Sequence, residues 1–180
     1  MAAAKTGNPG ATPPATLKVL AIFACAEKGA PMVEHDAVQV DDRGIVGDRY
    51  PDRGFFHQRR IPDQDRGITI ISSRGIDAAN AELQRTGIAP FACERTRRNL
   101  VIDIDVDALN SLLGRKFRIG DVEVEGTELC TPCKRPGELS GRDFRDQQAF
   151  VNAFAGRGGL RIRPLKGGQI SKGSQLETCN

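Results

Sequence analysis

No stretch of this sequence is apolar for long enough to span a bilayer, which excludes a membrane-crossing helix from its reading. The opening MAAAKTGNPGATPPAT is small, polar and proline-rich and lacks a basic-then-apolar leader, so the expectation is a cytoplasmic protein with reduced thiols. Histidine is scarce, and neither His35 nor His57 accompanies a serine arrangement that would suggest a hydrolase triad. His57, in FFHQRR, is open to a pocket-lining role, but a plain structural role is the simpler one. Glycine is plentiful, yet no Gly-Lys-Ser/Thr follows a glycine run, so the sequence holds no phosphate loop of the nucleotide-binding type. There is no iron–sulfur cysteine cluster or flavin motif, and no internal repeat. A net charge of +3 is too small to argue for nucleic-acid binding.

What is present begins at Leu17, after a segment, residues 1–16, that has no hydrophobic periodicity and reads as a disordered tail. Residues 17–180 have the length and composition of a single globular domain. Leu17, Val19, Ala21 and Phe23 alternate with Leu20 and Ile22, the pattern of a central strand covered on both faces. Further strands are expected at 37–40, 67–71, 99–104, 116–119, 121–129 and 160–165, with a last one near 169–176. In DVEVEG the alternation is strict, placing Val122 and Val124 inward and Glu123 and Glu125 outward.

Three helices are expected. Ser72 or Ser73 caps one that carries Ile76, Ala79 and Leu83. Asp105 or Asp107 caps a short one that ends before Gly114, and a third, 143–155, carries a stripe of Phe144, Gln148, Val151 and Phe154. Many short strands and few, irregularly spaced helices imply an α+β fold that is mainly β, with a barrel-like core and helices outside it.

The chemistry concentrates in GTELCTPCKRPGEL, residues 126–139. A thiolate ligates metals and attacks electrophiles, and neighbouring cations favour that form, so Cys133, followed at once by Lys134 and Arg135, is the better placed of the pair Cys130 and Cys133. Four readings stay open: a structural thiol at a strand end, half of a zinc site, a redox pair, or one thiolate ligating a soft metal borne by a cofactor. Zinc would need two more ligands, and Cys25, Cys93, Cys179, His35 and His57 are scattered. A redox pair normally precedes a helix, whereas KRPGELSG holds a proline and two glycines. The last reading calls for cations converging from elsewhere to hold the anionic remainder of the cofactor.

Clusters of that kind exist at Arg59 and Arg60, at Arg95, Arg97 and Arg98, at Lys134 and Arg135, and at Arg157, Arg161, Arg163 and Lys166. They are either separate solvated charges or, gathered by the fold, an anion pocket. GIVGDRY, 44–50, is a glycine turn in which Asp48 is placed to orient Arg49. In RTRRNL, Arg97 and Asn99 project to the same side if the strand begins there, and Asn99 is then either a donor to a heterocycle or a turn residue. AGRGGLRIRPLKGG, 155–168, is read first as a helix stop and strand turn.

In this order, GIVGDRY, ITIIS, RRNLVID, LLGRKFRIGDVEVEGTELCTPCKRP and GRGGLRIRPLKGGQISKGS resemble a stand-alone MOSC domain, the module named after the C-terminal domain of molybdenum-cofactor sulfurases. The resemblance runs from Leu17 to Leu176. It implies a β-barrel-like fold and a cleft for the pyranopterin molybdenum cofactor, with Cys133 as molybdenum ligand or as carrier of sulfane sulfur. Similarity to the mitochondrial amidoxime-reducing components, which share the module, implies cofactor contacts at Arg49, Arg97 and Asn99, with Ser72 near the same pocket and Lys134 beside the phosphate.

The implied activity is reduction of small N-hydroxylated or N-oxide compounds with electrons from a separate donor protein. The alternatives are a sulfur carrier loaded by a separate cysteine desulfurase, or a protein that binds the cofactor without turnover. Two departures accompany the resemblance: the sequence has no pyridoxal-phosphate-dependent desulfurase domain, and it lacks the longer N-terminal barrel region of the amidoxime reducers. No nucleic acid and no membrane partner is expected.

Overall fold

The structure, a computed structural model, describes residues 15–49 and 67–178. Most of the expected tail, Tyr50 of the glycine turn, His57, Arg59, Arg60 and Cys179 lie outside the described residues.

Among the described residues, ten strands and four α-helices follow in chain order. They are β1 (Val19–Ala24), β2 (Val33–His35), β3 (Ala37–Val40), β4 (Ile68–Ser72), α1 (Ser73–Arg85), β5 (Leu100–Ile102), α2 (Val106–Asn110), β6 (Lys116–Ile119), β7 (Val122–Leu129), α3 (Arg135–Leu139), α4 (Phe144–Ala153), β8 (Leu160–Lys166), β9 (Gly168–Ser171) and β10 (Leu176–Thr178). A 3-10 helix at Cys93–Thr96 precedes β5. Eight strands form one sheet in the order β10-β6-β7-β8-β4-β5-β1-β2, and β3 pairs with β9 in a second, two-stranded one. Among the described strands the β4–β5 pair alone is parallel and the other strand pairings are antiparallel.

The fold is α+β and mainly β, as its strand count implies, but the expected barrel is an open sheet among the described residues, with β10 and β2 at its edges. An isolated bridge between Lys18 and Gln175 ties the entry to β1 to the segment before β10. The sheet thereby curls toward closure without completing the ladder.

Alternation builds the interior directly. Val122, Val124, Leu160 and Ile162 of the β7–β8 pair are fully buried together with Ile68, Ile70, Leu100 and Phe117. Val38, Val40 and Ile170 of the small sheet join the same cluster. Across the main sheet, a second cluster joins Phe23, Ile71 and Val101 to Ile76, Ala79 and Leu83 of α1 and to Phe150, Ala153 and Phe154 of α4. Ser72 caps α1, its hydroxyl accepting the Gly75 N–H at 2.9 Å. Arg74 in the first turn reaches Asp103 just past β5, holding that carboxyl well below the usual range at about 2, with Thr16 assisting.

Three expectations are corrected. β1 is second from a sheet edge, and Leu20 is 49% exposed, because a bulge between Val19 and Ala21 leaves it as the extra residue facing β5. The inward stripe of α4 is Phe150, Ala153 and Phe154; Phe144 is 68% exposed, and the Lys134 ammonium lies 3.9 Å from its ring centroid. The helix α3 stands where the proline in KRPGEL argued against one. Pro136 lies in its first turn, where a backbone N–H has no intrahelical acceptor to lose.

The Phe144 ring contributes little burial, so Phe144→Ala is expected to change unfolding free energy by less than about 1 kcal/mol, measured by chemical denaturation. No helix among the described residues is long and apolar enough to cross a membrane.

Candidate functional site

The end of β7 passes through Cys130–Lys134 into α3, and the way this loop is anchored decides which thiol is presented. The Cys130 N–H donates to the Gly159 carbonyl at 2.7 Å, and Gly158 lies so close that a Cβ there would sit 1.9 Å from the Cys130 carbonyl oxygen. Cys130 is thereby pinned and buried, while Cys133, three residues on, is exposed. The two cysteines also border different hollows: Cys130 one with Leu129, Pro132 and Gly156, Cys133 one with arginines, and Thr131 is shared by both.

The hollow at Cys133 has a volume of about 120 Å³, and Arg49, Arg97, Arg98, Arg135 and Arg161 line it. They come from four pieces of local structure, with Arg97 and Arg98 adjacent in one turn. The Asp48 carboxylate accepts the Cys25 N–H at 2.8 Å and the Arg49 N–H donates to the Cys25 carbonyl at 2.8 Å, so the glycine turn docks onto the end of β1.

Arg97 ends the 3-10 helix in a left-handed conformation (φ 63°), unusual for a residue with a side chain. Its guanidinium donates to the Ala30 carbonyl and lies 3.3 Å from the Cys25 sulfur. Arg98 donates through Nε to the Gly158 carbonyl at 2.7 Å, which links the arginine turn to the loop that pins Cys130. Arg161 of β8 is ion-paired across the ladder with Glu128 of β7 at 3.2 Å, and Arg135 with Glu138 of α3 at 3.5 Å. These two carboxylates offset two of the guanidinium charges, and the wall stays net positive.

Of the residues singled out in the sequence, Arg49, Arg97 and Cys133 therefore share one cleft. Asn99, Ser72 and Lys134 do not line it. The strand begins at Leu100, so Arg97 and Asn99 do not lie on one strand face as expected. Asn99 is buried, its Oδ1 accepting from the Thr69 N–H (3.0 Å) and hydroxyl (2.9 Å) and its Nδ2 donating to the Phe23 carbonyl (3.1 Å). It clamps β4 to β1 immediately beside the arginine turn. Asn99→Ala is expected to cost about 2 kcal/mol in denaturant unfolding, because it leaves a buried donor and a buried acceptor unpaired. Ser72 is spent on the α1 cap and on the Ile104 carbonyl, and Lys134 lies over Phe144.

Arg98 and Arg161 belong to the cation clusters of the sequence but were not singled out there, whereas Arg135 was marked with Lys134 as a cation beside the Cys133 thiol. For Arg161 the signal was present: in LRIRPL the buried Leu160, Ile162 and Pro164 alternate with arginines, which places Arg161 and Arg163 on one face.

Cys93, the first residue of the 3-10 helix, has its thiol pushed upward by burial and then by Glu94 and Asp77, so it is held as a neutral thiol. Among the described residues no group of three or more His, Cys, Asp or Glu side chains is disposed to hold a metal ion. A single exposed thiol in an arginine-walled cleft suits a metal that arrives with most of its own soft ligands on an anionic carrier.

Fold and cleft together define a β-rich domain with one exposed thiol in an arginine-walled cleft. The MOSC domain family model matches residues 46–177, and the chain belongs to that family, one associated with binding of the molybdenum cofactor. Among solved structures, the YuaD protein from Bacillus subtilis is similar at 19% identity with a TM-score of 0.76, covering 91% of this chain and 96% of that one. YiiM from Geobacillus stearothermophilus (17% identity, TM-score 0.60, 93% and 76% covered) and YiiM from Escherichia coli (16%, 0.62, 91% and 70%) share the fold. No curated protein matches the chain significantly.

Proposed function

We propose that the protein binds the pyranopterin molybdenum cofactor with the Cys133 thiolate as its ligand to the metal, and reduces small N-hydroxylated or N-oxide compounds with electrons from a separate donor protein. The observation that carries this reading is the sharing of one cleft by an exposed cysteine and the guanidinium groups of Arg49, Arg97, Arg98, Arg135 and Arg161. The donor set suits the group: a soft sulfur for the metal and planar forks for the phosphate, which bind it through paired charge-assisted hydrogen bonds.

When bound, the cofactor supplies the two-electron redox chemistry. The chain's own residues hold and orient it. Arg49, Arg97 and Arg98 carry the phosphate; the Arg49 main chain is anchored on the Cys25 carbonyl, and the Arg97 and Arg98 guanidinium groups are directed by the Ala30 and Gly158 carbonyls. Glu128 steers Arg161. Lys134 adds a positive charge next to Cys133, while Asn99 and Ser72 act through the sheet and the α1 cap that support the arginine turn. Cofactor-loaded protein is expected to turn over an amidoxime or hydroxylamine with a chemical electron donor; loaded protein with no turnover would end the reductase reading.

The exposure of Cys133 also favours a second reading, sulfur carriage. There the Cys133 thiolate takes the outer sulfur of a desulfurase persulfide and releases the desulfurase thiolate, leaving a persulfide on Cys133. A one-sulfur mass increase on Cys133 after incubation with a cysteine desulfurase and cysteine, without reductase turnover, selects this reading. A protein that only stores the cofactor would show neither.

A further inference from the structure

The turns that bring Arg49 and Arg97 to the cleft are far apart in the sequence, and one residue touches both. Cys25 directly follows β1, and its main chain seats the glycine turn through two bonds. Its N–H donates to the Asp48 carboxylate and its carbonyl accepts the Arg49 N–H, each at 2.8 Å. Its sulfur accepts from Nη2 of Arg97 at 3.3 Å. The thiol proton points elsewhere, to the Glu27 carbonyl at 3.4 Å, so the guanidinium meets the sulfur lone pairs. Cys25 is buried and does not line the cleft, so it acts on a ligand only through the groups it holds.

Arg97 is the group most in need of holding. Its side chain leaves a turn in the left-handed conformation, and a long side chain has much rotamer freedom to lose on meeting an anion. Nη1 is tied to the Ala30 carbonyl and Nη2 to the Cys25 sulfur. Acceptors on two different nitrogens fix the plane of the guanidinium as well as its place. The Nε–H and the second hydrogen on each Nη make no other bond among the described residues, and they belong to a side chain that lines the cleft. A planar fork fixed in this way has given up its freedom before the anion arrives, and such preorganisation raises affinity.

We infer that Cys25 is a positioning residue for anion binding, its sulfur setting the Arg97 fork against the cleft while its main chain seats the Arg49 turn. The inference rests on the cofactor reading only in taking the anion there to be the phosphate of the cofactor.

The test titrates the full-length, cofactor-free chain with inorganic phosphate, followed by phosphorus NMR, in wild type, Cys25→Ser, Cys25→Ala and Cys25→Val. Serine keeps an acceptor, alanine leaves a gap, and valine fills the space without an acceptor. Phosphate affinity is expected to stay within about twofold of wild type for serine and to fall about fivefold for both alanine and valine, the worth of one net hydrogen bond. A role in packing alone orders the variants differently, with valine above alanine. Denaturant curves on the same samples report stability separately, and either of the two acceptor-free variants suffices if the other does not fold.

Cys25→Val made in an Arg97→Gln background is expected to weaken phosphate no further than Arg97→Gln does, because the sulfur works through that guanidinium. Wild-type affinity in both Cys25→Ala and Cys25→Val, an effect that adds in full to that of Arg97→Gln, or a wild type that binds no phosphate overturns the inference. Molybdenum and pterin, measured in wild type purified from a host that makes the cofactor, keep the two claims apart. Phosphate binding that depends on Cys25 in a chain that carries neither keeps the inference with another phosphate-bearing ligand and removes the cofactor reading. A chain that carries both, with phosphate affinity indifferent to Cys25, does the reverse.

Discussion

Cys133→Ser is expected to purify from a cofactor-competent host with at least about tenfold less molybdenum than the wild type, and with amidoxime turnover reduced in step. Serine is nearly isosteric, but its oxygen is hard and stays protonated near neutral pH, so it replaces neither the charge nor the softness of a thiolate. Cys133 is exposed, so the substitution should leave unfolding free energy within about 0.5 kcal/mol, and a loss of metal cannot be assigned to misfolding. Cys130→Ser supplies the contrast. Cys130 is buried, so serine there is expected to cost about 1–2 kcal/mol of stability with a milder loss of metal. Inductively coupled plasma mass spectrometry beside a denaturant curve separates the two effects.

Gly158→Ala is expected to disrupt the site strongly without replacing either cysteine. Its added methyl would lie 1.9 Å from the Cys130 carbonyl oxygen, and because the obstacle is backbone, the loop itself must move. That loop carries the Cys130 N–H to Gly159 bond, and the Gly158 carbonyl is the acceptor for Arg98. One methyl group thus displaces the cysteine loop and an arginine of the cleft together. We expect a loss of about 3 kcal/mol in chemical denaturation, with molybdenum content falling further than in Cys130→Ser. Gly156→Ala in the same turn meets no atom within 4 Å and carries only the strain of its positive φ of 73°, so about 1–2 kcal/mol is expected there.

Period-two alternation made most of the sheet legible. Val122 and Val124 face the core, and 116–119 and 37–40 are strands over the very residues the pattern marked. Where the sequence misled, a local feature overrode the pattern. The bulge at Leu20 turned an apolar residue outward, and β2, a three-residue edge strand with Val33 exposed, carries no alternation to read. Gly173, with φ 85°, divides the last apolar segment into β9 and β10, which belong to different sheets.

The site was legible in part for a related reason. Arg49, Arg97 and Cys133 each stood in a recognisable short motif, and the fold brings them to one cleft. Arg98 had no such mark, since its place depends on the Gly158 carbonyl; Arg135 was marked as a neighbour of Cys133, but the helix that begins there through a proline was not. Asn99 showed the limit of motif reading most clearly: its position beside the arginine turn was legible, but the commitment of its amide to Thr69 and Phe23 needed three strands in place.

The central claim is that this cleft holds the molybdenum cofactor by Cys133. The measurement that tests it most directly is the molybdenum and pterin content of the wild-type chain purified from a cofactor-competent host, with Cys133→Ser purified in parallel. The account predicts stoichiometric molybdenum and pterin in the wild type, and metal largely lost from the variant. A wild type free of both, or a Cys133→Ser protein that retains full molybdenum, would contradict it.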